Sequence, residues 1–189
     1  MSPIPGFEKG ERYCWGVLPP GVHACTEEEF ANRFVHAFPS SITRSEIADG
    51  FMKFRDLAKK LEVGLLQWID GSFVEEKMDP NDVDVISLAD YDILNSLGGE
   101  KRNYANDLLD SGKMRDFHTH SFFQPSCSKE HPYFPVFENQ RQYWRRWFGH
   151  TRQRRNGDNE LLDSIPKGMV KMWMGPSDKV PVISEEGGN

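Results

Sequence analysis

Apolar positions recur at helical spacing from Ile47 through Phe51, Phe54 and Ala58 to Leu61, the stripe of an amphipathic helix. Thr43 and Glu46 stand where a capping box would open that helix, and Gly64 where a C′ glycine would close it. A shorter helix is predicted after Thr26, with Glu29 completing its capping box and Pro39 as its stop. Leu65-Leu66-Gln67-Trp68-Ile69 is a short apolar run, which predicts a strand buried on both faces. Asp70-Gly71-Ser72 breaks it, and a polar stretch follows from Val74 to Asn81. Asp82-Val83-Asp84-Val85-Ile86 alternates polar with apolar, a strand with one wet face.

Further along, Ala89 to Ser111 reads as helix interrupted at Gly98-Gly99, and Phe117 to Phe123 as a third strand closed by Pro125. Asn139 to Phe148 fits an amphipathic helix, Arg152 to Asp158 a solvated loop, and Lys167 to Met174 a final edge strand ended by Pro176. No internal repeat or low-complexity block is visible. The expected organisation is one domain over residues 41–183, an extension over 1–40 packed on it, and a polar tail over 184–189.

Composition narrows the class. With 189 residues, 38% hydrophobic, 28% charged and 12% aromatic, collagen, coiled coil and wholesale disorder are excluded. No apolar run approaches the ~18 residues of a membrane span, and Met1 to Gly10 carries no apolar signal-peptide core. The three cysteines, Cys14, Cys25 and Cys127, form no CxxC pair. A soluble, cytoplasmic protein with no membrane partner is therefore expected. A net charge of −6 argues against a protein that coats nucleic acid along its whole surface, leaving only a local basic patch.

Candidate chemistry centres on Gly71-Ser72, nine intervening residues, and Asp82-x-Asp84. A residue without Cβ after a buried strand lets the backbone approach a ligand closely. Ser72 offers a hydroxyl and neighbouring N–H groups to a phosphate. Asp82 and Asp84, two apart on a strand, share one face, where two carboxylates repel until a cation neutralises them. Oxygen ligands of this kind suit Mg²⁺, completed by substrate phosphates. The plainer alternative is a turn built from Asp79-Pro80-Asn81-Asp82, residue types that dominate turns.

Two other groups carry potential chemistry. His118, His120, Cys127 and His131 have ligand-type side chains at no standard zinc spacing. Arg141, Arg145, Arg146, Arg152, Arg154 and Arg155 interleave with Tyr143, Trp144, Trp147 and Phe148. Arginine forks and aromatic faces together suit a triphosphate or an RNA. They equally suit a helix with its rings in the core and its arginines paired to acids.

Gly71-Ser72 through Asp82-Val83-Asp84 resembles the signature of the nucleotidyltransferase superfamily, which includes polymerase-beta-like and small minimal nucleotidyltransferases. Leu18-Pro19-Pro20-Gly21-Val22-His23, Asp70-Gly71-Ser72-Phe73-Val74, Pro80-Asn81-Asp82-Val83-Asp84-Val85 and Pro166-Lys167-Gly168-Met169-Val170 are similar to an uncharacterised subfamily from bacteria and their phages. The resemblance implies an α/β (α+β) fold, a mixed sheet flanked by helices. It also implies a nucleoside triphosphate with Mg²⁺ or Mn²⁺, and transfer of a nucleoside monophosphate to a protein or RNA hydroxyl.

Carried over, Gly71 and Ser72 hold the β- and γ-phosphates and Asp82 and Asp84 ligate metal; apart from the resemblance, Arg152 of the arginine cluster and Lys167 are further cation candidates. The superfamily's third carboxylate is missing. The matching strand offers His118, Thr119 or His120 instead, and a histidine there suits a general base. The competing expectation is a module that binds nucleotide or a partner without turnover, in a toxin–antitoxin, defence or phage context. Aromatic residues in the first forty positions point to a homo-oligomer or protein partner.

Overall fold

The computed structural model describes residues 4–11, 13–152 and 165–175. Within these residues eight strands are formed: β1 (Gly21–Ala24), β2 (Leu65–Asp70), β3 (Val83–Asp90), β4 (Gly112–Met114), β5 (Thr119–Ser126), β6 (His150–Thr151), β7 (Ile165–Pro166) and β8 (Gly168–Met174). The helices are α1 (Glu27–Ala31), continued by a π-helical turn over Asn32–His36, α2 (Arg44–Lys59), α3 (Tyr91–Asn95), α4 (Gly99–Leu109) and α5 (Phe134–Phe148). Six strands make one mixed sheet in the order β1-β8-β2-β3-β5-β4, with β6 and β7 paired separately. β1 runs parallel to β8 and β3 parallel to β5, while β8–β2, β2–β3 and β5–β4 are antiparallel. This is the mixed, helix-flanked α/β architecture expected.

Alternation along the strands divides the core between two faces. One face carries Leu65, Ile69, Val83, Val85, Val170 and Met172, packed with Phe30, Phe34, Phe51 and Phe54 of the N-terminal helices. The other carries Trp68, Ile86, Leu88 and Met169, and α5 covers it with Phe148 and Trp144. β2 and β3 lie in the middle and are buried on both faces. Before its last residue, only Asp84 of β3 keeps the predicted wet side, since the strand is buried on both faces from Val85 to Ala89.

Several local expectations are corrected. The Thr26–Glu29 capping box forms, but the one at Thr43 does not. Ser41 Oγ accepts from the Thr43 and Arg44 amides instead, at 3.3 and 3.1 Å, and Asp79 Oδ1 fixes that loop by accepting from Ser41 Oγ and the Ile42 amide, both at 2.9 Å. Glu62, not Gly64, takes the left-handed position after α2. Ala89 belongs to β3, and Asp90 caps α3 by accepting from the Asp92 and Ile93 amides. β5 runs on through Pro125, beyond the three-residue reach of β4, where an open strand edge tolerates proline. β8 is an interior strand, since β1, from the stretch expected to be an extension, pairs along its outer side. Arg152 is the one described residue of the Arg152–Asp158 stretch, and both Pro176 and the 184–189 tail lie outside the described residues.

Two buried interactions set the segments around the chain's acidic residues. The Arg44 guanidinium donates to the Phe34 and Phe73 carbonyls at 2.8 and 2.7 Å and to that of Glu75 at 2.7 Å, pinning the loop after β2. Burial lowers its pKa to about 10. At Gly50 on α2, an added Cβ would stand 2.5 Å from the Phe117 carbonyl oxygen. That close approach seats α2 directly against the chain entering β5.

Candidate functional site

The turn after β2 is built around Gly71. Its φ of 83° and ψ of −173° lie in a region essentially reserved for glycine. Ser72 then opens a 3₁₀ turn over Ser72–Val74, and its hydroxyl has no partner among the described residues. A Cβ on Gly71 would meet Asp84 Oδ2 at 2.5 Å. The acidic strand and the small-residue turn therefore share one place, as their spacing predicts. Asp84 pairs in register with Asp70 across the β2–β3 hairpin. Asp82 sits immediately before β3 rather than inside it. Burial first, and then the Asp82 charge, hold the Asp84 carboxyl above its ordinary range, against the pull of His120 and Lys167.

The two histidines separate. β5 begins at Thr119, and His120 stands in register with Asp84, with its Nδ1 3.2 Å from Asp84 Oδ1. His118 precedes the strand in a left-handed conformation, φ 47°, and its Nε2 lies 3.3 Å from Glu46 Oε1 on α2. His120 therefore occupies the position beside the acidic pair, and His118 is corrected to a contact with α2. The other members of the possible zinc group disperse: Cys127 is buried and His131 Nε2 lies 3.6 Å from Asp92.

Lys167 is also corrected. It is buried, and its Nζ lies 2.8 Å from both Asp70 Oδ1 and Glu75 Oε1. It also donates to the Gly71 carbonyl at 3.2 Å. Trp15 Nε1 donates to the second oxygen of Glu75. An amine so engaged braces the turn from beneath instead of reaching for a phosphate. Burial pulls the Lys167 amine down, but Asp70 and Glu75 outweigh it and raise its pKa. Burial pushes Asp70 up to about 7 despite Lys167. Asp70 and Glu75 were missed from the sequence. The one available signal is that Asp70 directly precedes Gly71.

Arg152 does not stand at this site; its guanidinium lies 3.4 Å over the Trp147 ring. Arg145 does approach the right face. It lies 5.6 Å over Trp68, which is two residues before Asp70 on the same face of β2. Its buried Nε has no acceptor among the described residues. Arg141 instead pairs with Glu138.

A divalent cation fits this donor set in one particular way. Among the described residues, no three His, Cys, Asp or Glu side chains are grouped to hold a metal unaided. Two carboxylates completed by phosphate oxygens and water are, however, the usual company of Mg²⁺. The electrostatic coupling of Asp82 to a half-buried Asp84 marks a place where positive charge is stabilising.

Fold and site together define a mixed α/β protein with an acidic pair against a glycine turn. The chain belongs to a family of unknown function, DUF6932, whose model matches residues 13–172 and so takes in the whole of this site. No curated protein and no solved structure matches it. Among the described residues, no helix is long and apolar enough to cross a membrane.

Proposed function

We propose that this chain binds a Mg²⁺–nucleoside triphosphate and transfers its nucleoside monophosphate to a hydroxyl of RNA or protein, releasing pyrophosphate. The observation that carries this reading is the Asp84 carboxylate lodged against Gly71, where no Cβ fits. Gly71 and Ser72 hold phosphate through backbone N–H groups and the free hydroxyl. Asp82 and Asp84 would hold the cation, whose contribution when bound would be to neutralise negative charge during transfer. Arg145, on the face shared with Asp70 and Asp84, supplies a fixed positive charge. His120, in register with Asp84, accepts the proton of the attacking hydroxyl in this reading.

The replacement of a third acid by His120 favours a second reading, a binding module without turnover. One pair of measurements separates them. Each triphosphate with Mg²⁺ or Mn²⁺ is tested for thermal stabilisation, about 2.7 kcal/mol at about 100 times Kd. Transfer of α-phosphate label to a macromolecule is followed in parallel. The enzyme shows both effects, and Asp82→Asn with Asp84→Asn abolishes both. Stabilisation without transfer identifies the binding module, and the absence of either effect rejects both readings.

A further inference from the structure

We infer that the outer face of α5 is a stacking platform for single-stranded nucleic acid, and that this strand is the acceptor of the proposed reaction; the acceptor role rests on that reading, whereas the binding does not. Tyr143 and Trp147, one helical turn apart, are 55% and 44% exposed. Side chains of this size usually bury themselves, and the inner neighbours Trp144 and Phe148 do pack on the sheet. The two outer rings lie near parallel, at 20° with centroids 6.1 Å apart. The Arg152 guanidinium lies over the Trp147 ring, 3.4 Å from its centroid. Rings and guanidinium planes arranged this way match the π faces of bases, whatever the base.

Charge selects the same occupant. The chain carries a net −6, yet Arg146 and Arg152 lie here with no carboxylate partner among the described residues. Unneutralised arginines on an acidic protein complement a polyanion, and exposed rings between them suit one whose bases are unpaired. A protein partner would account for the rings, but not for two uncompensated cations beside them.

Position links the platform to the site. Tyr143 touches Trp144 at 5.2 Å, Trp144 touches Phe122 at 4.7 Å, and Phe122 touches His120 at 4.3 Å. His120 then meets Asp84. A strand seated on the outer rings therefore lies a few ring contacts from the acidic pair. Its terminal hydroxyl oxygen would attack the α-phosphorus. The bond to the pyrophosphate oxygen breaks, and the hydroxyl proton passes to His120.

Binding is tested on the whole chain with labelled short oligo(U), oligo(A), oligo(dT) and a duplex, using fluorescence anisotropy across a salt series. Single strands should bind more tightly than the duplex. Tyr143→Ala with Trp147→Ala should weaken single-strand binding at least about tenfold, with an unchanged melting temperature and an intact response to Mg²⁺–triphosphate. Arg146→Gln with Arg152→Gln should reduce the slope of log K against log salt by about 1.4. No binding at low salt, or binding that heparin matches and ring removal leaves intact, overturns the platform. Label transfer to the oligonucleotide that disappears in the ring variant supports the acceptor role. Transfer to protein alone overturns it. Oligonucleotide binding without any response to triphosphate sinks the nucleotidyl reading and leaves the platform standing.

Discussion

The carboxylate of Asp84 fills the space in which a side chain on Gly71 would begin, with Oδ2 2.5 Å from that position. Gly71 also holds a backbone conformation at φ 83° that other residues adopt only under strain. Gly71→Ala should therefore cost at least about 2 kcal/mol in urea unfolding and abolish any stabilisation by Mg²⁺–triphosphate. A variant as stable as the parent would show that the turn relaxes and that the contact is incidental.

Lys167 is buried between Asp70 and Glu75. Lys167→Met leaves two buried carboxylates facing each other and should destabilise the fold by about 3–5 kcal/mol. Adding Asp70→Asn and Glu75→Gln removes those charges and should restore most of the loss. Chemical denaturation of the single and triple variants checks this. An additive, larger loss in the triple variant would contradict the charge argument.

Asp70 gives a pH signature. Its folded pKa is raised from 3.8 to about 7 by burial, so between those values the folded state keeps a proton that the unfolded state releases. Stability then falls as pH rises through that window. Asp84 is shifted in the same direction and contributes with the same sign. Denaturation midpoints of parent and Asp70→Asn, compared from about pH 4 to about pH 7, should show a smaller decline in the variant. Parallel profiles would place the Asp70 pKa near its ordinary value.

His120 stands in register with Asp84. His120→Asp would set a third carboxylate beside the pair. The metal-free variant should melt below the parent through like-charge repulsion, yet gain more from Mn²⁺ than the parent does. Equal gains would mean that this position lies outside the metal's reach.

Gly50 offers a test of the support behind the site. Alanine in a helix is ordinarily favoured over glycine by about 1 kcal/mol. Here the new methyl would sit 2.5 Å from the Phe117 carbonyl. Gly50→Ala should therefore destabilise the protein in thermal and urea melts despite its better propensity.

Local patterns made part of this legible. The Thr26 cap, the α2 stripe and the β2 run each depend on neighbours within a few residues, and the structure keeps them. The same holds for Gly71 against Asp84, a short hairpin contact. What escaped depends on partners far along the chain. Thr43 lost its cap because Asp79 organises Ser41. Lys167 read as a free cation because its partners are Asp70 and Glu75. Composition cannot choose between Arg145 and Arg152, since that waits on how Phe148 and Trp144 seat α5 on the sheet. The choice among His118, Thr119 and His120 needed strand register, in which one step changes the face.

The insertion of β8 between β1 and β2 bears on how the chain is made. As translation proceeds, β2 and β3 can pair early, but among the described residues β1 has its sheet partner only in β8. The brace beneath the Gly71 turn arrives with the same late segment, at Lys167. A ribosome-bound nascent chain that has not yet exposed residues 165–175 therefore holds an unsupported turn and an unpaired first strand. Both are completed only when that one segment docks, so the Gly71 turn and the outer edge of the sheet are secured together.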